Sequence, residues 1–362
     1  MYLDLWQLLA GLVHWLMVDI IGPIFGWLSF HGIEGWLTRP ETLYFITVIL
    51  VVLIVFVVGM LVSITLIWQE RKMLGRFMDR RGTQTGPIGL FQNFADALKT
   101  LQKEIIVPAN ADKLIYNAAP VIIIGTSLFL MATIPYSEGF YASDSDLSLI
   151  LTFAIFSIVP FGVLLGGWAS NNKYTLIGGM RAAAQLISYE IPMLLSVVSV
   201  VILAGSLSLN DIVWYQQAHI WLFIPLIIGF IVFLIAMVAE VERIPFDLPE
   251  AEAELVEGWG TEYGGLRFGL IMMSEYARGF IGSALATLLF LGGWDGPFKG
   301  IVPDGLWFLA KVFIVFGIFI WMRAALPRVR TDQILAIGWK KLLPLAVVNI
   351  FIAILFKTAG WF

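Results

Sequence analysis

The 362-residue sequence contains no cysteine and only three histidines. Without cysteine, the chain can form no disulfide, no cysteine-ligated zinc site and no iron–sulfur cluster of its own. His14, His31 and His219 lie far apart in the sequence, so we predict no metal site built on them. The sequence also lacks a G-x-G-x-x-G, a Walker A and a nucleophile-elbow motif. Any redox or nucleotide chemistry must therefore belong to a partner protein.

Charged residues are scarce as well. They make up 13% of the chain, whereas 59% of the residues are hydrophobic and the mean hydropathy is +0.89. Soluble domains carry about 25% charged residues, so this chain has too little polar surface to cover a globule in water. The composition predicts an integral membrane protein. The small net charge of -4 gives no reason to expect nucleic-acid binding.

Eight hydrophobic runs are long enough to cross a bilayer, which takes roughly 20 helical residues. They lie at about 42–67, 114–134, 147–168, 186–205, 219–241, 266–291, 305–325 and 341–360. We therefore predict an all-α, polytopic membrane fold with eight transmembrane helices.

The N-terminal segment 3–30 is also apolar, but polar residues, a glycine and a proline interrupt it. Trp6, Trp15 and Trp27 suit the headgroup region of a bilayer. We predict an interfacial or partly inserted helix, with a ninth span as the alternative. The first residues lack the basic region of a cleavable signal peptide. The chain thus divides into an N-terminal part, 1–40, and a membrane domain, 41–362.

The basic residues of the loops predict the topology. The loops after the first, third, fifth and seventh spans hold nearly all the loop lysines and arginines, whereas the intervening loops contain only Lys299. Basic loops remain on the cytoplasmic side, so the odd-numbered loops are predicted to be cytoplasmic. The first of them should contain an amphipathic helix over residues 91–99, lying against the membrane or a partner. Its apolar face would carry Phe91, Phe94, Leu98 and Leu101, with Asp96 on the opposite side.

Four acidic or basic residues lie at least four residues from either end of a predicted span: Glu190, Glu275, Arg278 and Lys311. A charge in lipid costs several kcal/mol, so such groups should face the bundle interior or a hydrated cavity. Glu275 and Arg278 are three residues apart and share a helical face. A structural ion pair between them is therefore one interpretation. Glu190 has no basic neighbour at helical spacing, which favours proton exchange at this residue.

Carboxylates are also concentrated in the loop after the fifth span. They are Glu240, Glu242, Asp247, Glu250, Glu252, Glu254, Glu257 and Glu262. The segment contains a single arginine, Arg243. A solvated acidic loop is one interpretation. Interleaved apolar residues such as Phe246 and Trp259 instead indicate packing, and crowded carboxylates raise one another's pKa values, which suits proton storage and relay.

The loop closely resembles a segment of one known family. Residues 240–263, EVERIPFDLPEAEAELVEGWGTEY, are similar to the loop between the fifth and sixth helices of the quinone-site membrane subunit of respiratory complex I, the H type of bacterial enzymes. Further stretches agree in order: ERK at 70–72, GPIGL at 86–90, GWASNNKY at 167–174, SYE at 188–190 and RVRTDQ at 328–333. The resemblance covers residues 42–360.

The resemblance implies a subunit of a proton-translocating NADH-quinone oxidoreductase in a prokaryotic plasma membrane. It would enclose part of the quinone tunnel with peripheral-arm subunits, contact other membrane-arm subunits and lipid, and bind no nucleic acid. Quinone would be the substrate, and flavin and iron–sulfur clusters would lie in partner subunits, with no cofactor bound by this chain itself. The implied quinone-binding residues are Glu70, Arg71, Asp96 and Arg323. The implied proton-relay residues are Glu190, Glu240, Arg243, Asp247, Glu250, Glu252, Glu254, Glu262 and Glu275.

Two departures from the family pattern concern these roles. An Arg-x-Gly-Pro-Asn segment is usual after the first span, but residues 80–86 read RRGTQTG. Many bacterial members carry a glutamate in the third span where this chain has Ser157. The first departure leaves the quinone type and the tunnel entrance open, and the second requires a relay without that glutamate.

Two other functions remain open at this stage. One is a homologous membrane subunit of a ferredoxin-, deazaflavin- or hydrogenase-linked complex. The other is a stand-alone secondary cation transporter, which would require inverted repeats with broken helices in both halves, and the sequence shows no such repeat. The electron donor and the coupling ion are not encoded in any motif of this chain.

Overall fold

The computed structural model describes residues 5–21, 39–143, 145–247, 252–297 and 302–360. Its helices are α1 Leu5–His14, α2 Pro40–Phe77, α3 Phe91–Gln102, α4 Lys113–Thr133, α5 Ser148–Phe156, α6 Val159–Ala169, α7 Lys173–Ala204, α8 Leu209–Ala218, α9 Ile227–Glu240, α10 Glu252–Leu255, α11 Gly265–Phe290, α12 Asp304–Ala325, α13 Thr331–Ile337 and α14 Leu343–Thr358. A π-helical turn, Gly338–Leu342, joins α13 to α14, and another, Trp15–Ile21, follows α1.

The all-α polytopic membrane fold is confirmed. Within the described residues, six helical stretches are long and apolar enough to cross a bilayer, with α5 and α6 counted as one and α13 to α14 as another. The remaining two predicted spans correspond to α9, an apolar helix of 14 residues, and α11, a helix of 26 residues that contains Arg267, Glu275 and Arg278.

Helix ends differ from the hydrophobic runs where a helix continues beyond the apolar region. α2 extends past the end of the first run at Ile67, as far as Phe77, and α7 begins at Lys173 rather than near residue 186. The side chain of Asn172 accepts a hydrogen bond from Tyr174 N at 3.1 Å and caps the start of α7. Hydropathy marks the part of a helix that lies in lipid, so polar extensions of this kind are not visible to it.

The third predicted span is broken. α5 ends at Phe156, Ser157 and Ile158 form a turn, and α6 begins at Val159 with Pro160 in its first turn. Proline has no N–H to donate to the carbonyl four residues earlier, so the helical ladder is interrupted here. The break brings Ser157 to the face that meets α7.

α7 lies at the centre of the bundle and packs against α6, α9 and α14, while α11 packs against α2, α4 and α12. The N-terminal helix α1 lies along α2, where Trp6 stacks on Tyr44 with ring centroids 6.3 Å apart. Whether α1 spans or lies in the interface stays a prediction. Residues 22–38, which belong to the same question, are outside the described residues.

The four predicted cytoplasmic loops meet at one end of the bundle. Arg243 and Arg323, which follow the fifth span and end the seventh, both contact Glu70 at the end of the first. Arg181, near the start of α7, pairs with Glu254. At the opposite end, the backbone N–H of Phe223 donates to Phe290 O at 3.0 Å. The loops that were predicted to lie on one side of the membrane therefore lie at one end of the bundle. That this end faces the cytoplasm remains a prediction.

Candidate functional site

Glu70, on α2, is buried and bound to two arginines. Its side chain is only 4% exposed, and Oε1 accepts hydrogen bonds from Arg323 and, at 3.4 Å, from Arg243 Nη1. Arg323 lies in the last turn of α12, where a cation also interacts favourably with the helix dipole. Two arginines from different parts of the chain thus share one carboxylate oxygen.

Arg243 connects Glu70 to a second buried carboxylate. Its Nη2 lies 3.9 Å from Glu275 Oε2, and its guanidinium carbon lies 4.4 Å from the ring centroid of Tyr276. The arginine side chain is 16% exposed. We call the series Arg323, Glu70, Arg243 and Glu275 the ion-pair chain. It joins the ends of α2 and α12 to the middle of α11.

A second ion pair lies beside this chain. Arg278 Nη2 is 3.6 Å from Glu242 Oε2, with both side chains buried, and Arg278 Nη1 donates to Glu240 O at 3.4 Å. Glu275 and Arg278 therefore share a face of α11, as predicted. Each of them, however, contacts a residue that follows α9, so the face as a whole binds the acidic segment.

Residues 241–247 form a buried turn held from three sides. The amide of Gln185, on α7, donates to Ala239 O and Phe246 O, both at 2.9 Å. Phe246 packs against Tyr189, and the N–H of Val329 donates to Pro245 O at 3.0 Å. The predicted packing of this segment is confirmed for these residues. Leu248 and Pro249 lie outside the described residues.

Burial controls the charge of the carboxylates in this turn. Burial raises the pKa of Glu242 above its ordinary value, and the nearby Arg278 only partly offsets the effect. Burial likewise raises the pKa of Asp247, which Arg328 contacts at 3.1 Å and partly compensates. Both acids are thus brought closer to proton exchange near neutral pH.

Asp96 faces the end of α2 from α3. It accepts hydrogen bonds from Arg71 Nη1 and, at 3.0 Å, from Gln92 Nε2. Partial burial raises the pKa of Asp96, but these hydrogen bonds outweigh burial and hold its pKa below the ordinary value. Asp96 therefore remains a carboxylate. Since Arg71 follows Glu70, all four predicted quinone-binding residues lie at one corner of the bundle.

The helix that carries Asp96 has the predicted amphipathic form. Asn93 is buried and its Nδ2 donates to Ile64 O at 2.8 Å, which fixes α3 against α2. The loop of residues 80–86, which departs from the family pattern, also contacts α3. Its Thr85 Oγ1 donates a hydrogen bond to Oε1 of Gln92, the residue that donates to Asp96, at 2.5 Å. The apolar face is exposed: Phe91, Phe94, Leu98 and Leu101 are each at least half accessible.

The remaining acidic residues are not gathered in the bundle. Glu254 pairs with Arg181 at 2.9 Å at an exposed position, and Glu262 Oε1 accepts from Asn172 Nδ2 at 2.7 Å. Glu250 lies outside the described residues, as does the side chain of Glu252. The acidic segment therefore divides into a buried part, 240–247, and a part that borders the first turns of α7.

Glu190, on α7, contacts the hydroxyl of Ser157 at the break between α5 and α6. It also lies within electrostatic range of Glu240 at the end of α9. Lys311 lies apart from this site, at the opposite end of the bundle. Its ammonium donates to the carbonyl oxygens of Leu291, Gly293 and Asp295, at 2.6, 3.0 and 2.5 Å.

The sequence did not reveal several contacts of the site. Three residues that were given no role in the site contact the acidic segment or its arginine: Gln185, Tyr276 and Arg328. The sequence offered one general indication of these contacts: a polar or cationic residue with apolar surroundings needs a hydrogen-bond or ion-pair partner. In the part of the chain that the structure describes, no group of three or more histidine or acidic residues is arranged to hold a metal ion.

Comparison with known proteins is consistent with this architecture. The family model described as NADH dehydrogenase matches residues 49–354. The chain is 47% identical, over 330 residues, to proteins named as the H-type subunit of NADH-quinone oxidoreductase from Bacillus mycoides (strain KBAB4), Bacillus thuringiensis (strain Al Hakam) and Bacillus anthracis (strain A0248). Each alignment covers 90% of this chain and 98% of the relative.

Proposed function

This chain belongs to the NADH dehydrogenase family, and we propose that it couples quinone reduction to proton translocation as the H-type membrane component of a complex I. In this proposal it forms part of the quinone-binding tunnel with peripheral-arm subunits, in a prokaryotic plasma membrane. The electrons reach quinone from an iron–sulfur cluster of a partner. The contribution of this chain is to bind and orient quinone and to move protons through its buried carboxylates.

The observation that carries the proposal is the continuous ion-pair chain. It begins at Arg323 and Glu70, beside the partly exposed Arg71–Asp96 pair, and ends at Glu275 within the bundle. Charges in a buried network interact strongly because little water screens them. A change of charge at the corner of the bundle therefore alters the preferred protonation state of the inner carboxylates.

The corner of Glu70, Arg71, Asp96 and Arg323 suits the polar head of a quinone. Arg71 is a strong hydrogen-bond donor and its partner Asp96 is held ionised, so a quinone carbonyl could accept from a positioned guanidinium. Reduction to the quinol consumes two protons at this corner and changes the local charge. That change of charge would act on the neighbouring Glu70 and Arg243 and, through them, on the inner carboxylates.

The inner carboxylates suit a relay. Glu190, Glu240, Glu242 and Glu275 come from α7, α9, the turn after α9 and α11. The half-buried Arg243 and the buried Arg278 lie among them. Burial raises the pKa of Glu242 well above its ordinary value, toward the range that a proton carrier near neutral pH requires. Asp247 would extend the series toward Arg328.

The quinone-binding part of the proposal is tested with Asp96→Asn. This substitution removes the negative charge that holds Arg71 and should reduce kcat/KM for quinone about tenfold, the typical effect of losing one charge-assisted hydrogen bond. NADH-driven quinone reduction is measured in membranes, per amount of assembled complex. Asp332→Asn is the control, since Asp332 forms an exposed pair with Arg330. Equal kcat/KM values for Asp96→Asn and the parent would contradict the proposal.

A further inference from the structure

We propose that Ser157 is a positioning residue for Glu190, and that its hydroxyl changes hydrogen-bond acceptor when Glu190 gains or loses a proton. The inference rests on the proposed relay function of Glu190. It adds a residue from the third span to that relay and identifies what the residue does there.

The Ser157 hydroxyl has two acceptors within reach. One is Glu190 Oε1, across the contact with α7, and the other is the carbonyl oxygen of Phe153, at 3.0 Å. A serine carries one hydroxyl proton and can donate to only one of them at a time. The Phe153 carbonyl already accepts from Ser157 N at 3.1 Å, but a carbonyl oxygen has two lone pairs and can accept both bonds.

The protonation state of Glu190 selects between the two arrangements. An ionised carboxylate only accepts, so the hydroxyl must donate to Glu190. A protonated Glu190 can instead donate its own O–H to Ser157 Oγ, and the serine proton then turns to Phe153 O. Serine neither gains nor loses a proton in this exchange, and both forms of Glu190 keep a hydrogen-bond partner.

The break in the third span fixes the hydroxyl in this position. Ser157 directly follows the last residue of α5, and Pro160, in the first turn of α6, has no N–H to continue the helical hydrogen bonds. Because the carbonyl of Phe153 faces Oγ from the preceding turn, the serine has a local acceptor as well as the one on α7. α6 packs closely against α7, which holds the two sides together.

The Ser157 hydroxyl can form a hydrogen bond with both the ionised and the protonated form of Glu190. It therefore lowers the free energy needed for Glu190 to change between these two forms. The hydroxyl bonded to the Glu190 carboxylate stabilises its ionised form. Without that hydrogen bond, the ionised form of Glu190 should be less favourable than in the parent protein. Proton release from Glu190 would become the slow step.

The experiment compares Ser157→Ala, Ser157→Thr and Ser196→Ala in the assembled complex. Threonine retains the hydroxyl. Ser196 is the matched control because it is buried on α7 and donates only within its own helix, to Met193 O at 2.6 Å. NADH-driven proton uptake is measured in inverted membrane vesicles per amount of complex. The infrared carbonyl band of protonated Glu190 is identified from its absence in Glu190→Gln.

Ser157→Ala should slow proton uptake about tenfold, as expected for one charge-assisted hydrogen bond, and should shift the Glu190 band to higher frequency. Ser157→Thr should restore both, and Ser196→Ala should change neither. Parent-like proton uptake or an unshifted band in Ser157→Ala overturns the inference. If Glu190→Gln is impaired while Ser157→Ala behaves like the parent, only this inference fails. If Glu190→Gln itself pumps normally, the proposed relay function fails.

Discussion

Arg243 is the residue on which the ion-pair chain depends. It lies between Glu70 and Glu275, at 3.4 and 3.9 Å, and against the ring of Tyr276. Removing one partner of a buried ion pair is strongly destabilising because it leaves the other charge uncompensated, whereas removing both is often tolerated. Arg243 and Glu275 should therefore behave as one unit.

Arg243→Met should reduce the stability of the assembled complex by about 3–5 kcal/mol, since Glu275 is left without its nearest arginine. The double substitution Arg243→Met with Glu275→Gln should recover part of that loss. Thermal unfolding of the purified complex and the yield of assembled complex measure both effects. Arg330→Met is the matched control, because Arg330 is 75% exposed and surface pairs contribute little. A double variant no more stable than Arg243→Met would disprove the coupling.

The acidic members of the site, and also Arg243 and Arg323, could be named from the sequence and its family resemblance, but the ion pairs that they form could not. A carboxylate in an apolar segment is visible by itself, and Glu190 and Glu275 are of this kind. The contacts of Glu70 with Arg243 and Arg323 cross 173 and 253 residues of chain. No local spacing encodes such pairs. The sequence interpretation considered only Arg243, the arginine within the acidic segment. It did not anticipate that Arg181, Arg278 and Arg328, from other parts of the chain, also pair with the segment's carboxylates.

At the scale of elements, α7 organises the site. One side of the helix carries Glu190, and its amide side chain Gln185 holds the turn after α9. Its N-terminal half extends beyond the hydrophobic run and packs against residues 258–260. That contact depends on Gly178, because a methyl group there would lie 2.8 Å from the backbone of Gly258.

Gly178→Ala should force the 258–260 turn away from α7 and destabilise the complex by about 1–3 kcal/mol, the usual effect of overpacking. Backbone atoms rather than a flexible side chain oppose the new methyl group, so relaxation is restricted. Gly125→Ala, in α4, is the control, since nothing lies within 4 Å of its methyl group. Thermal unfolding is the measurement. If Gly178→Ala were as stable as Gly125→Ala, the packing described here would be wrong.

The presence of a helix in each hydrophobic run was easier to predict than the residues at which the helix begins and ends. Each hydrophobic run contains helix, because satisfying the backbone in lipid requires it. The ends of α2 and α7 were missed, since these helices continue into polar surroundings where capping and packing decide their limits. The break at Ser157 was not predicted either. Pro160 alone did not indicate it, because Pro120 and Pro192 lie within the continuous helices α4 and α7.

At the scale of the whole molecule, the protein is a bundle whose charges are concentrated at one end and continue into its interior. Its surface elsewhere is apolar and exposed, as on the outer faces of α2 and α14, where lipid or other membrane subunits would be the neighbours. The chain supplies no thiol for a redox centre. Its proposed role is therefore to convert chemistry performed with partner subunits into proton movement.

The most direct test of this account is proton uptake per NADH oxidised in inverted vesicles that contain Glu190→Gln. Glutamine is nearly the same size as glutamate and its carbonyl oxygen still accepts a hydrogen bond, but it cannot exchange a proton. If Glu190 carries protons in the relay, the number of protons translocated per NADH should fall clearly below the parent value, or NADH oxidation should slow with it. Glu41→Gln, at an exposed position in the first turn of α2, should match the parent. A parent-like rate together with a parent-like proton ratio in Glu190→Gln would contradict the account.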